Sequence, residues 1–286
     1  MSACLALEAP QRVAVLGPQG TFCEQAAVEF FGSAANLIYC NNFDEVFHAT
    51  AAGTAQFGVV GMENSTEGVV ARSLDLFLRS PVHVVGEVSL LIRHNLMRKE
   101  PSMHGIEAVL AHPQALAQCE RYLRGLGVQV EAVYDTAGGA KLVSEQKLVG
   151  AAALASRRAA TVFGLEVLQE AVQDYEFNIT RFAIIGGAQA EDANKTTIVF
   201  ALPSTHGALF KALSVFALRD INLSKLESRP FRGRPWEYLF YVEVDARRDD
   251  LACTRALTHL GEFATFMRVL GTYKGWVRAA APTARG

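Results

Sequence analysis

Val13-Ala-Val-Leu16-Gly17-Pro-Gln-Gly-Thr21-Phe22-Cys-Glu-Gln-Ala-Ala-Val-Glu-Phe-Phe31 decides the fold class. Four apolar residues suit a buried strand, a Gly/Pro turn follows, and Thr21 with Glu24 has the spacing of a capping box at the start of a helix. The same strand–turn–helix unit repeats outward. Leu37–Cys40 and Phe57–Met62 read as further strands, and Asp44–Ala52 and Val69–Leu78 as the helices after them. Val82–Ile92 reads as a longer extended segment. Beyond it come a strand at Ile106–Leu110, a helix at Gln114–Leu126, strands at Val128–Tyr134 and Val149–Ala153, and helices at Ala140–Glu145 and Ser156–Phe163. Such alternation predicts an α/β fold, with parallel sheets covered by helices. Val82–Ile92 is the expected crossing between two lobes.

After a strand at Ile179–Ile185 comes a polar, Gly/Ala-rich linker, Gly186–Asn194. The pattern then changes to strand Thr196–Leu202, helix Ala208–Asp220, strands Asn222–Ser228 and Glu237–Asp245, helix Leu251–Leu260 and strand Phe266–Tyr273. That order, βαββαβ, predicts a ferredoxin-like unit.

Composition removes several function classes. The 286 residues carry 27 Lys and Arg against 29 Asp and Glu, a net charge of -2. No bulk basic excess invites nucleic acid or an anionic membrane. The five cysteines form no CxxC pair and the seven histidines no HExxH, so neither a disulfide framework nor a metal site is expected. The N-terminus lacks a basic leader, and no apolar run approaches the ~20 residues of a membrane span. A cytoplasmic protein is expected.

Four polar stretches sit where strands hand over to helices or re-enter a sheet, the places where α/β folds bind ligands. Gly17-Pro-Gln-Gly-Thr21-Phe22 lacks both the phosphate-loop Gly-Lys-Ser/Thr and the dinucleotide GxGxxG. A tight turn with a cap explains it, and an anion cradle at Thr21 is the sharper reading. Glu63-Asn64-Ser65-Thr66-Glu67 gives five consecutive polar residues, more than one cap requires, with Asn64 and Ser65 placed to donate into a cleft. Ala111-His112-Pro113-Gln114 opens a helix that sets Gln114 and Gln118 on one face. In Asn178-Ile179-Thr180-Arg181-Phe182, Thr180 and Phe182 share one side of a strand and Arg181 takes the other.

Together these stretches resemble the prephenate dehydratase family, at Gly17–Phe22, Glu63–Gly68, His112–Cys119 and Asn178–Phe182. The C-terminal unit resembles an ACT domain, at Gly207-Ala-Leu-Phe-Lys-Ala-Leu213 and Glu227-Ser-Arg-Pro230. The resemblance implies a catalytic domain over 12–188, built as two lobes like a type II periplasmic binding protein, with crossings near 82–92 and again before 178. It implies an ACT regulatory domain over 194–276. The reaction implied is the decarboxylating dehydration of prephenate to phenylpyruvate, without a cofactor. Thr180 is the implied catalytic residue, supported by Asn64 and Gln118. Thr21, Glu63, Ser65, Arg181 and Phe182 complete the expected substrate site, with Arg181 and helix N-termini holding the pyruvyl carboxylate. Inhibitory L-phenylalanine is expected at Gly207, Ala208, Leu209, Asn222, Leu223, Glu227, Ser228, Arg229 and Pro230, between ACT domains of a homodimer or homotetramer. The chain departs from the usual family pattern at Gly61, Ala111 and Cys23, where proline, serine and serine or threonine are common. Two other readings remain open at this point: an arogenate dehydratase, and a non-catalytic amino-acid-sensing binding protein.

Overall fold

The structure is a computed structural model that describes residues 10–145, 148, 150–187 and 192–275. The described chain divides into two units. One holds the residues up to Ser80 together with Val88–Phe182, and the other holds Pro81–Glu87 and the chain from Ala183 onward.

The first stretch runs β1 (Arg12–Leu16), α1 (Phe22–Phe31), β2 (Asn36–Cys40), α2 (Phe43–Ala51), β3 (Phe57–Asn64), β4 (Gly68–Val69), α3 (Ala71–Arg79) and β5 (His83–Leu91). It continues with β6 (Asn95–Arg98), β7 (Ala108–Ala111), α4 (Pro113–Gln118), α5 (Glu120–Leu126), β8 (Gln129–Ala132), α6 (Thr136–Glu145), β9 (Ala151–Ala155), α7 (Arg157–Phe163), β10 (Glu166–Gln169) and β11 (Ile179–Gly186). One sheet has the order β2-β1-β3-β11-β5, with β4 folded back on β3; a second has the order β10-β6-β9-β7-β8. The chain leaves the first sheet after Leu91 and returns to it at Ile179.

β1 is fully buried at Val13, Ala14 and Val15 and pairs in parallel with β2 and β3, which is why it reads as an unbroken apolar run. α1 begins where the Thr21 hydroxyl accepts from Glu24 N, and Glu24 reaches back to Gly20 N. The strand β9 is four alanines and Leu154, all buried. Such small side chains admit α6 and α7 closely against the sheet, with Ala140, Val143, Ala159 and Ala160 in the shared core.

The structure corrects the sequence reading in five places. The second sheet is not wholly parallel: β6 runs antiparallel to β9, and β10 antiparallel to β6. Neither β6 nor β10 was anticipated. α3 starts at Ala71 because Val69 is held in β4 opposite Glu63. The helix expected over 114–126 is broken at Cys119, where the Gln118 carbonyl accepts from Asp174 N at 2.7 Å instead of continuing the helix. α6 begins at Thr136, four residues early, because the Asp135 carboxylate accepts from Ala137 N and Gly138 N at 2.8 and 3.1 Å. Val149, residues 188–191 of the expected linker and Trp276 lie outside the described residues.

The second stretch is β12 (Lys195–Ala201), α8 (Ala208–Ala217), β13 (Leu223–Pro230), β14 (Tyr238–Val244), α9 (Leu251–Gly261) and β15 (Phe266–Tyr273). Its sheet is antiparallel throughout, in the order β13-β14-β12-β15, the ferredoxin-like arrangement. Ile198, Phe200, Val242 and Val244 pack against Ala212, Val215, Phe216, Cys253 and Leu260 of the two helices.

Within this unit Gly271 lies beside a register shift where β15 crosses β12, and a Cβ there would stand 2.1 Å from the carbonyl oxygen of Val84. Backbone cannot yield as a flexible side chain does. Gly271→Ala is therefore expected to lower unfolding stability by about 1–3 kcal/mol, the usual cost of overpacking, read as a lower urea midpoint with an unchanged slope. An unaltered midpoint would contradict the close approach. Among the described residues no helix is long and apolar enough to cross a membrane.

Candidate active site

The end of β3 and the start of β11 lie side by side, with Ser65 N donating to the Ile179 carbonyl at 2.8 Å. The fold-back of β4 makes a tight loop, Ser65–Glu67, around the Asn64 side chain. Asn64 Oδ1 accepts from Thr66 N at 2.9 Å, Thr66 Oγ1 at 2.6 Å and Glu67 N at 3.1 Å. Three donors on the oxygen fix the amide, so Nδ2 points the other way. It donates to Asn178 Oδ1 at 2.7 Å and to Thr180 Oγ1 at 2.8 Å.

The chain of bonds continues in one direction. Asn178 Nδ2 donates to Gln118 Oε1 at 2.8 Å, and Gln118 Nε2 donates to Thr66 Oγ1 at 3.1 Å and to Glu67 Oε1 at 3.5 Å. Gln118 Oε1 also meets His94 Nε2 at 2.9 Å. Because a carbonyl only accepts, His94 carries its hydrogen on Nε2 and leaves Nδ1 as a bare lone pair. That nitrogen is buried and has no partner among the described residues. An unpaired buried acceptor of this kind costs about 1–3 kcal/mol. Asn64, His94, Gln118 and Asn178 are each at most 6% exposed, so the network is shielded from competing water.

Thr180 stands at the end of this network. Its oxygen accepts from Asn64, and its own hydrogen has no acceptor among the described residues. The side chain lines a cavity of about 150 Å³ with Phe22, Ile92, His94, Gln114, Ala115, Gln118, Thr136 and Phe182, joined by Asn64 and His112. No Lys or Arg side chain is among these lining residues. The N-terminal turns of three helices are, through Phe22 of α1, Gln114 of α4 and Thr136 of α6. Two of these turns are already capped within the protein: Gln114 N donates to His112 Nδ1 at 3.3 Å, and the Asp135 carboxylate takes Ala137 N and Gly138 N.

Burial holds the His94 imidazole below its ordinary pKa, and the Gln118 bond opposes this only in part, so the ring is neutral at pH 7. The unfolded chain binds that proton near pH 6.5 while the folded chain resists it. Stability present above pH 6.5 is thus lost as the pH falls. Denaturation midpoints of the wild-type protein should decline more steeply below pH 6.5 than those of His94→Gln, and parallel curves would refute the assignment.

Of the residues expected from sequence, Asn64, Gln118, Thr180 and Phe182 come together at the cavity. Gln114 joins Gln118 there, as the shared helix face implies. Thr21 does not line it. Its hydroxyl donates to the Leu16 carbonyl at 2.8 Å and caps α1, which aims Phe22 inward. Ser65 is also absent from the lining, because its hydroxyl bridges Phe177 O and Ile179 N, both at 2.9 Å. Arg181 points to the opposite face of β11 and pairs with Glu63 at 2.8 Å, so neither is placed to hold a substrate carboxylate in this cavity. His94, Asn178, Thr66 and Thr136 were missed. Asn178 opens a quoted motif and was within reach; His94 has no local signature.

None of the three departures lines the cavity. The Cys23 thiol is buried, which pushes its pKa up to about 12 and keeps it protonated and unreactive. The Gly61 carbonyl accepts from Ser73 Oγ at 2.6 Å. Ala111 is buried in β7, outside the cavity lining.

In the second unit Gly207 caps α8 with φ +71, a conformation suited to glycine, and Ala208 and Leu209 form the first turn. Asn222 donates to Asp245 Oδ2 at 2.6 Å. Leu223, Glu227, Ser228, Arg229 and Pro230 all lie on β13, an edge strand that among the described residues pairs with β14 alone.

A family model described as prephenate dehydratase matches residues 13–190. Arogenate dehydratase/prephenate dehydratase 2 of Arabidopsis thaliana is 43% identical over 276 residues, covering 92% of this chain and 72% of that protein. Among solved structures, prephenate dehydratase of Arthrobacter aurescens in complex with L-Phe has a TM-score of 0.82 at 32% identity, covering 92% of this chain and 89% of that one. GqqA, described as a quorum-quenching acylase, has a TM-score of 0.85 at 28% identity, covering 93% and 98%.

Proposed function

This chain belongs to the prephenate dehydratase family, and we propose that the Thr180 cavity is where it turns prephenate into phenylpyruvate. The enzyme is a carbon–oxygen lyase. Its substrate loses the ring carboxylate as carbon dioxide and the ring hydroxyl as water, and the ring becomes aromatic. The hard step is expelling hydroxide, which needs a proton as the carbon–oxygen bond breaks.

One observation carries the assignment. Thr180 Oγ1 accepts from Asn64 Nδ2, so its own hydrogen is left to donate toward the departing hydroxyl. A threonine is a weak acid, and Asn64 offsets this by stabilising charge that develops on Oγ1. No Lys or Arg side chain lines the cavity, so a dianionic substrate would be held there by neutral donors such as the Gln114 amide. The apolar wall of Phe22, Ile92, Ala115 and Phe182 suits the ring and disfavours a retained carboxylate, which assists loss of carbon dioxide. Acylase chemistry, the activity ascribed to one structural neighbour, needs a hydroxyl activated by an adjacent base. Thr180 is met by an amide donor instead, which supports the lyase reading.

We read the first unit as two lobes of the periplasmic-binding-protein kind and the second as an ACT regulatory domain that binds L-phenylalanine between copies of the chain, in a homodimer or homotetramer. The βαββαβ order and the edge position of β13 support that reading, as does the L-Phe complex of the Arthrobacter relative. The test is phenylpyruvate release from prephenate, with arogenate as competitor and with phenylalanine added. Turnover of prephenate, lowered by phenylalanine, is expected. Turnover of arogenate alone would move the protein to the sister activity, and no turnover of either would leave a sensing protein.

A further inference from the structure

We propose that His94 is a second catalytic residue, whose Nδ1 accepts a hydrogen bond from the substrate's departing hydroxyl while Thr180 donates to the same oxygen. The inference rests on the reading of the Thr180 cavity as the site of prephenate dehydration.

The hydrogen-bond network leaves little freedom. Thr66 Oγ1 donates to Asn64 Oδ1, so it accepts from Gln118 Nε2. Gln118 therefore turns its carbonyl toward His94, and two donors, Asn178 Nδ2 and His94 Nε2, converge on it. The imidazole tautomer follows, as does the bare Nδ1. The backbone of His94 is fixed as well, since its N–H donates to Gln173 Oε1 at 3.1 Å and its carbonyl accepts from Val172 N at 2.8 Å. Phe22 packs against the ring at 83°, with centroids 5.8 Å apart. A ring held from so many sides cannot turn to pair its Nδ1 with the protein, yet it lines the cavity and is 3% exposed.

A group that satisfies Nδ1 must bring a hydrogen. The substrate's reacting carbon bears a hydroxyl, which has one hydrogen to give and oxygen lone pairs to receive. His94 and Thr180 offer the complementary acceptor and donor on the same cavity. The O–H···Nδ1 bond would fix the hydroxyl rotor so that an oxygen lone pair faces the Thr180 hydrogen. During the reaction the bond to the ring carboxylate breaks and its electrons enter the ring as carbon dioxide leaves, while the carbon–oxygen bond breaks with its electrons on the oxygen; the Thr180 proton joins that oxygen, water forms bound to Nδ1, and Thr180 regains a proton from solvent as the products depart. Phenylpyruvate carries no hydroxyl at that ring carbon, so the product has nothing to offer His94.

Two variants separate acceptor from support. In His94→Gln the side-chain amide can keep donating to Gln118 but lacks the Nδ1 acceptor. In His94→Asn the amide oxygen falls near the Nδ1 position and the Gln118 bond is lost. The expected result for His94→Gln is a kcat/KM for prephenate lowered about 10–100-fold, with inhibition by phenylpyruvate unchanged within twofold. His94→Asn should be the more active of the two. Equal losses in both variants, wild-type kcat/KM in His94→Gln, or phenylpyruvate inhibition weakened in step with turnover would each overturn the proposal. Should His94→Gln fail to fold, His94→Asn decides alone: a loss within tenfold supports the acceptor, and a loss as deep as that of Thr180→Ala overturns it. A wild-type enzyme inert toward prephenate would instead remove the underlying reaction. Wild-type turnover with an unaffected His94→Gln removes only the role of His94.

Discussion

Thr180→Ala should lose about 10²–10⁴ in kcat, the range typical of a positioned proton donor, with KM for prephenate and thermal stability nearly unchanged. Among the described residues the side chain makes one hydrogen bond, from Asn64 Nδ2, and that amide keeps its second acceptor, Asn178 Oδ1. The loop around Asn64 is held through Oδ1 and does not depend on Thr180. What disappears is a hydroxyl whose hydrogen has no acceptor among the described residues. Binding should persist, because the rest of the cavity lining is untouched. Thr180→Ser keeps the donor and should retain most of the rate, less what is lost to the freer rotor of serine. Single-turnover formation of phenylpyruvate reads the chemical step directly. An alanine variant within tenfold of wild type would show that the proton comes from elsewhere.

The sequence made the local devices readable and hid those built from distant parts. Thr21 and Glu24 announce α1 because a cap and its partner lie within one turn. The start of α6 was obscured by Gly138-Gly139, which weakens helical propensity. The structure needs Gly139 there, since a Cβ would stand 3.0 Å from the Leu110 carbonyl. β6 and β10 are four residues each, and β6 begins and ends with buried polar residues, Asn95 and Arg98. Without alternation or length, such strands look like loops. Thr180, Asn64 and Gln118 were identified through motif resemblance, and strand alternation correctly set Phe182 beside Thr180. The same alternation argued against Arg181 as a ligand for substrate; its partner, Glu63, lies 118 residues away and only the folded sheet joins them. His94 reaches Gln118 across 24 residues and acquires its meaning from the tautomer that contact imposes. No spacing rule encodes that.

Asn64→Asp tests the polarity of the whole network with almost no change of shape. Oδ1 can still accept from Thr66 and Glu67, so the loop has no reason to move. The second carboxylate oxygen replaces Nδ2, and two contacts reverse. Toward Asn178 Oδ1, 2.7 Å away, an attractive bond becomes a meeting of two acceptors. Toward Thr180 the new oxygen can only accept, so it draws in the hydroxyl hydrogen that otherwise faces the cavity. A negative charge also appears where a dianionic substrate must bind. Near neutral pH the variant should therefore lose about 10²–10⁴ in kcat/KM, comparable with Thr180→Ala. The distinguishing feature is its pH profile. Asn64 is 6% exposed, and a carboxyl group so buried and facing an acceptor has its pKa raised above the ~3.9 of an exposed aspartate. Below that raised pKa the acid carries a hydrogen, donates again, and frees the Thr180 hydroxyl. Activity should recover as the pH falls, and stability should move the same way, highest below the unfolded-state pKa and lost as the pH rises through the folded-state value. Asn64→Ala has no group to titrate and should show no such recovery. Superimposable profiles for the aspartate and alanine variants would mean that donation from position 64 to Thr180 does not govern the reaction.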